Sequence, residues 1–170
     1  MRSVSGQGIL IRPVPESSMP ESLDFMREAI ALARANVADG GRPFGAVLVR
    51  DGEVLARAAN RIHATNDPTA HAELLAIRDA AQRCGSPRLD GAVVYAGGHP
   101  CPMCLAAMHL CGVTRGYYAY SNEDGAPFGL STAHVLAQMA LPPSQQSLAV
   151  EALRPEGEGG LYESWAARRV

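Results

Sequence analysis

Apolar residues return at helical spacing early in the chain. Leu23, Met26, Ile30, Ala33 and Val37 fall three and four apart, a stripe that predicts a helix from about Pro20, stopped by Asp39-Gly40-Gly41. The period then changes from helical to extended. Residues 44–50 (FGAVLVR) and 53–60 (EVLARAAN) read as two strands joined by Asp51-Gly52, a pair that supplies the positive φ values of a tight hairpin. A polar stretch at 61–69, with a turn at Asn66-Asp67-Pro68, leads into a helix over 70–84 whose stripe is Leu74, Ile77, Ala81 and Cys84. Residues 91–97 (GAVVYAG) predict a buried strand. Pro102 suits the first position of another helix, where an N–H has no intrahelical partner to lose. Beyond it, 114–121 predicts a fourth strand, 131–141 a helix ended by Pro142-Pro143, and 147–153 (SLAVEAL) a fifth strand. A short helix around Trp165 closes the chain. Residues 1–17 lack periodicity and are expected to form a loose leader before a single domain over 18–170. Strands alternating with helices after a hairpin predict an α/β protein, a three-layer α/β/α sandwich around a mixed sheet of about five strands.

Composition narrows the partners. The 170 residues suffice for one core-bearing domain. Against 17 acidic residues stand 15 Lys and Arg, a formal net charge of −2. That balance lacks the basic footprint of a polyanion binder, so a small-molecule partner is expected and nucleic acid is not. No apolar run approaches a membrane span, and the N-terminal residues do not read as a signal peptide. A cytoplasmic location is expected, where Cys-x-x-Cys more often means metal or redox chemistry than a structural disulfide.

Cys101-Pro102-Met103-Cys104 opens a predicted helix, so positions i and i+3 set both sulfurs on one face. The helix dipole favours thiolate, the form that binds metal. By itself this spacing leaves a redox pair and half a zinc site equally open. His71, thirty residues earlier and separated by one helix, a loop and one strand, favours zinc. One His and two Cys are suitable ligands, and three protein ligands leave a fourth position open, the catalytic pattern. Cys84, about 20 Å along its helix from His71, and Cys111 are expected to be buried hydrophobes. Glu73, two residues after His71, is placed to approach a metal-activated water and move its proton. His-x-Glu followed by Pro-Cys-x-x-Cys is the signature of zinc-dependent nucleobase deaminases.

On these residues, together with Pro43-Phe44-Gly45-Ala46-Val47 and Asn66–Glu73, the chain resembles the cytidine-deaminase-like superfamily, and within it the bacterial guanine deaminase group. The resemblance runs from residue 23 to about 120. It implies a cytidine deaminase-like fold, one Zn²⁺ per chain held by His71, Cys101 and Cys104, and Glu73 as proton shuttle. It also implies Phe44 against the flat face of the base, with Asn60 and Ala72 among the substrate contacts. A homodimer is implied too, with 155–170, including Trp165, as a C-terminal lid that can be exchanged between chains. Two positions depart from the group. Gly129-Leu130-Ser131-Thr132 replaces a loop that ends in acids, and His99 stands where Glu is common, which makes it a further candidate at the site or the dimer contact. The expected activity is hydrolytic deamination of an aminated nucleobase or related heterocycle. The alternatives are a tRNA adenosine deaminase, a non-catalytic zinc-stabilised binding module, and a thiol redox protein.

Overall fold

The computed structural model describes residues 19–168; the expected leader 1–17 lies outside them. In chain order come α1 (Met19–Ala38), β1 (Gly45–Arg50), β2 (Glu53–Ala59), a single turn α2 (Ile62–Thr65), α3 (Ala72–Cys84), β3 (Val93–Gly98), α4 (Pro102–Cys111) and β4 (Arg115–Tyr120). Short α5 (Asn122–Gly125), α6 (Ala133–Met139) and α7 (Leu161–Ala166) follow. The described chain divides into two compact units, up to Leu136 and from Ala137. None of its helices is long and apolar enough to cross a membrane.

The first unit holds the sheet, ordered β2-β1-β3-β4. β1 pairs antiparallel with both β2 and β3, and β3 pairs parallel with β4. The mixed sheet and its α/β class match the sequence reading. Asp51 and Gly52 both take positive φ, 53° and 80°, as the tight hairpin requires. β1 is the central strand, and its residues alternate between two cores. Val47 and Val49 join Ala29 and Tyr95 beneath α1, while Ala46 and Leu48 join Ala72, Ala76, Val94 and Met108 on the side of α3 and α4. This is the predicted three-layer arrangement.

Three expectations from the hydrophobic pattern need correction. The fifth strand at 147–153 does not form: Leu148, Val150 and Leu153 are exposed, and a strand exists only where a neighbour pairs with its backbone. The stripe of α1 holds in its middle and fails at its ends: Ala33 is buried and Met26 packs on the core, Ala29 beside them is buried, but Leu23 and Val37 stand about half exposed. Along α3, likewise, Ala72, Ala76 and Ala80 are buried, and Cys84 is exposed rather than in the core. The cause is close packing. Alanine faces let a helix backbone approach the sheet, and the larger side chains, Met26 on α1 and Ile77 on α3, pack along the margin of that contact.

Gly45 shows how close α1 comes. A Cβ there would lie 2.3 Å from the Ala29 carbonyl oxygen and 2.8 Å from the Ala33 nitrogen, both backbone atoms. Gly45→Ala is therefore expected to lower unfolding stability by about 1–3 kcal/mol, read as a lower urea midpoint; an unchanged midpoint would refute this account of the contact.

Candidate metal centre and active site

The loop before α3 is built to deliver His71. Asn66 takes φ 53°, and Asp67 Oδ1 accepts hydrogen bonds from the Thr69 N–H (2.8 Å) and Thr69 Oγ1 (2.6 Å), an Asx turn. Those bonds hold the Asp67 carboxyl below its ordinary pKa. The Arg61 N–H donates to the Ala70 carbonyl at 2.9 Å and the His71 N–H to the Thr69 carbonyl at 2.7 Å. His71 is thus the extended N-cap residue of α3. Cys101, reached from the end of β3, is the extended N-cap of α4, with Pro102 in the first turn.

An N-cap side chain ordinarily accepts a hydrogen bond from its own helix, worth about 1 kcal/mol. Neither His71 nor Cys101 does so. They point at each other instead: Cys101 Sγ is 3.4 Å from His71 Nδ1, Cys104 Sγ is 3.6 Å from the same nitrogen, and the two sulfurs are 3.5 Å apart. Among the described residues this is the one group of three His, Cys, Asp or Glu donors close enough to hold a metal ion. A tetrahedral zinc, bonded at about 2.3 Å to sulfur and about 2.0–2.1 Å to nitrogen, spaces its donors about 3.5–3.8 Å apart. The observed triangle fits that ion, and among the described residues no further His, Cys, Asp or Glu joins it at a fourth position.

The electrostatics agree with the geometry. The bond from Cys104, followed by that to His71, holds the Cys101 thiol well below the usual range. Cys104 is held above it by the shared proton and by burial, while His71 is raised chiefly by Cys101. Cys101 is thus the readiest thiolate of the group, the form in which a cysteine binds metal. Glu73, in the first turn of α3, is 7% exposed. Burial raises its carboxyl pKa above the ordinary value, opposed by smaller contributions from its own backbone, His71 and the Cys104 side chain. A buried carboxyl poised to hold or release a proton thus sits against the donor cluster, beside Cys104.

The other expected residues divide. Ala72, fully buried, begins α3 beside His71. The Phe44 ring lies on the end of β3, where a Cβ at Gly98 would stand 2.7 Å from it. Asn60 is buried, and its N–H donates to the Phe44 carbonyl at 2.9 Å. His99 turns to β4: its N–H donates to the Tyr120 carbonyl at 2.8 Å and its ring packs at 4.6 Å on Tyr118. Trp165 is on α7, in the second unit, and half exposed. A cavity of about 360 Å³ opens beside Phe44, Gly98, His99 and Leu130, and none of the three metal-donor residues lines it. In the 129–132 stretch, Asn122 Oδ1 accepts from the Thr132 N–H at 2.9 Å and from Ser131 Oγ at 3.3 Å. One residue the sequence reading passed over is Asn36, whose Nδ2 donates to the Arg42 and Asn60 carbonyls. Its only signal is a polar residue next to the packed face of α1, shortly before two glycines.

Residues 19–120 match the family model described as the cytidine and deoxycytidylate deaminase zinc-binding region. The chain belongs to this zinc deaminase family. It is 37% identical over 125 residues to the guanine deaminase of Bacillus subtilis, covering 73% of this chain and 80% of that protein. With a tRNA-specific adenosine deaminase of Agrobacterium fabrum it shares 43% over 107 residues, covering 63% and 70%. The X-ray structure of guanine deaminase from B. subtilis superposes with a TM-score of 0.78 at 32% identity, covering 85% of this chain and 93% of that one. Zinc is the family's cofactor, and the His71, Cys101 and Cys104 donors suit one ion.

Two measurements follow from the cluster. Elemental analysis is expected to find one zinc per chain, and Cys104→Ser to lower that occupancy severalfold at equal free zinc; full retention would remove Cys104 from the ligand set. In metal-free protein, the raised pKa of Glu73 means that the folded state binds its proton more tightly than the unfolded state. Stability is therefore highest below the unfolded carboxyl's pKa and declines as pH rises through the folded one. Glu73→Gln is expected to raise the Tm of the metal-free chain at pH 7 and to leave it nearly unchanged below about pH 4; an equal shift at both would contradict the burial effect.

Proposed function

We propose that this protein is a zinc-dependent hydrolase that replaces the exocyclic amine of a nucleobase or related heterocycle with oxygen, releasing ammonia, in the manner of guanine deaminases. The observation that carries this reading is Glu73, a buried carboxyl in the first turn of the helix whose N-cap residue, His71, meets Cys101 and Cys104. Zinc at those three donors supplies a water made acidic enough to yield its proton near neutral pH. Glu73 accepts that proton as oxygen adds to the amine-bearing carbon, then delivers protons to the ring nitrogen and to the departing amine. Its burial matches the task, because a carboxylate whose pKa is raised takes up a proton more readily near neutrality than an ordinary one and can then pass it on. Phe44 lies against the ring face, with Asn60 and the start of α3 at Ala72 along the ring edge. The protein acts as a cytoplasmic homodimer.

Guanine is one candidate substrate, and the missing carboxylate at 129–132 argues for another aminated ring. A site built around N–H groups loses discrimination when its acceptor is removed. A second reading, tRNA adenosine deamination, draws support from the 43% identity to the A. fabrum protein.

Ammonia release from the zinc-loaded chain, measured over free bases, nucleosides, aminated heterocycles and tRNA, tests both readings. Turnover of small rings and not of tRNA is expected; turnover of tRNA alone would replace the first reading with the second. Glu73→Gln is expected to keep its zinc and lose about 10²–10⁴-fold in turnover. A variant with comparable ammonia release would remove Glu73 from the mechanism.

A further inference from the structure

Phe44 and Asn60 come from different segments, the turn before β1 and the end of β2, and a closed circuit of hydrogen bonds joins them through α1. Asn36 Nδ2 donates to the Arg42 carbonyl at 2.7 Å and to the Asn60 carbonyl at 2.9 Å. The Arg42 carbonyl also accepts from the Phe44 N–H at 2.8 Å, and the Phe44 carbonyl accepts from the Asn60 N–H at 2.9 Å. One amide nitrogen, with two hydrogens, thus serves both segments. The fit is close. A Cβ on Gly41 would stand 2.5 Å from Asn36 Nδ2, so glycine at that position makes room for the amide. The helix carrying Asn36 is itself set against the sheet at Gly45, backbone on backbone.

The same circuit fixes what Asn60 presents. Its Oδ1 accepts from the Ile62 N–H at 3.1 Å, an Asx-type bond that settles which end of the amide is oxygen. Nδ2 remains. Asn60 is 3% exposed, and Nδ2 is the end of its amide left to meet a ligand. The group offered is a donor, and the ring edge that suits it carries an acceptor, a carbonyl oxygen or an unprotonated ring nitrogen.

We propose that Asn36 is a positioning residue for substrate: by holding the Arg42 and Asn60 carbonyls together it sets the Phe44 ring and the Asn60 amide donor in register for an aminated ring whose edge presents a hydrogen-bond acceptor. This rests on the deaminase reading of the site. Asn36 itself touches no reacting atom and acts through its two partners.

A double-mutant cycle on the zinc-loaded chain tests it. Asn36→Ala is expected to keep one zinc per chain, raise KM, and lower kcat/KM by about 10–100-fold. In an Asn60→Ala background the same change is expected to add no more than about threefold. Unchanged kcat/KM, or losses that multiply in full, would overturn the proposal. Should Asn36→Ala fail to fold, Asn36→Ser carries the same comparison, since its shorter hydroxyl cannot span both carbonyls. The side-chain amide signals of Asn60 in ¹⁵N-labelled protein give a readout independent of turnover: they are expected to shift in the Asn36 variant, and an unmoved signal would overturn the proposal. If the unsubstituted chain deaminates nothing on the panel, the deaminase reading fails, and this signal alone decides whether Asn36 holds Asn60.

Discussion

Two helices, α3 and α4, begin at the same point in space, and the candidate site follows from that convergence. The residue before each helix has extended geometry, so its side chain leaves the helix axis and can meet the other. At most helix starts this side chain is occupied in capping its own backbone. Here both caps are given over to a shared centre, with the sulfur of Cys104 supplied from one turn further along α4. Two helix N-termini aimed at one point also favour the Cys101 thiolate. The parallel pairing of β3 with β4 across α4 and the Asx turn at Asp67 are the backbone conditions that bring the two caps together.

Close approach on the other side of the sheet prepares the opposite wall. Small residues on α1 and the bare backbone of Gly45 draw the helix against β1, and the helix end carries Asn36 into the gap between two strand segments. At the end of β3, Gly98 gives its side-chain space to the Phe44 ring. Glycine in this protein is repeatedly a place where another group sits. Gly41 accommodates an amide, Gly45 a helix backbone and Gly98 an aromatic ring.

The loop after β4 is one of the two places where this chain departs from the group it resembles, His99 being the other. It offers hydroxyls and amides where acids were expected, and Asn122 gathers the Ser131 and Thr132 donors onto one oxygen. A shared metal centre with an altered rim is the usual way one fold serves several substrates. The two kinds of relative, guanine and tRNA adenosine deaminases, are consistent with a common centre and a variable surround.

The site chemistry was legible in the sequence because it is local. A histidine with a glutamate two residues on, and two cysteines three apart behind a proline, obey helix-start geometry whatever surrounds them, and the Asp-Gly hairpin obeys turn geometry in the same way. Phase and partnership were not legible. Val37, Leu23 and Cys84 fall on sequence stripes but face outward, because the faces that pack are alanine faces whose advantage is closeness, not size. The segment 147–153 has strand composition and no strand to pair with. Asn36 carries only a faint local mark, a polar residue shortly before two glycines, since its two acceptors, Arg42 and Asn60, come near it only once α1 lies on the sheet. By itself the sequence determined which side chains could share a metal; the tertiary structure alone decided which backbone groups stand close enough to hold the rest of the site in place, because that depends on distances between segments far apart along the chain.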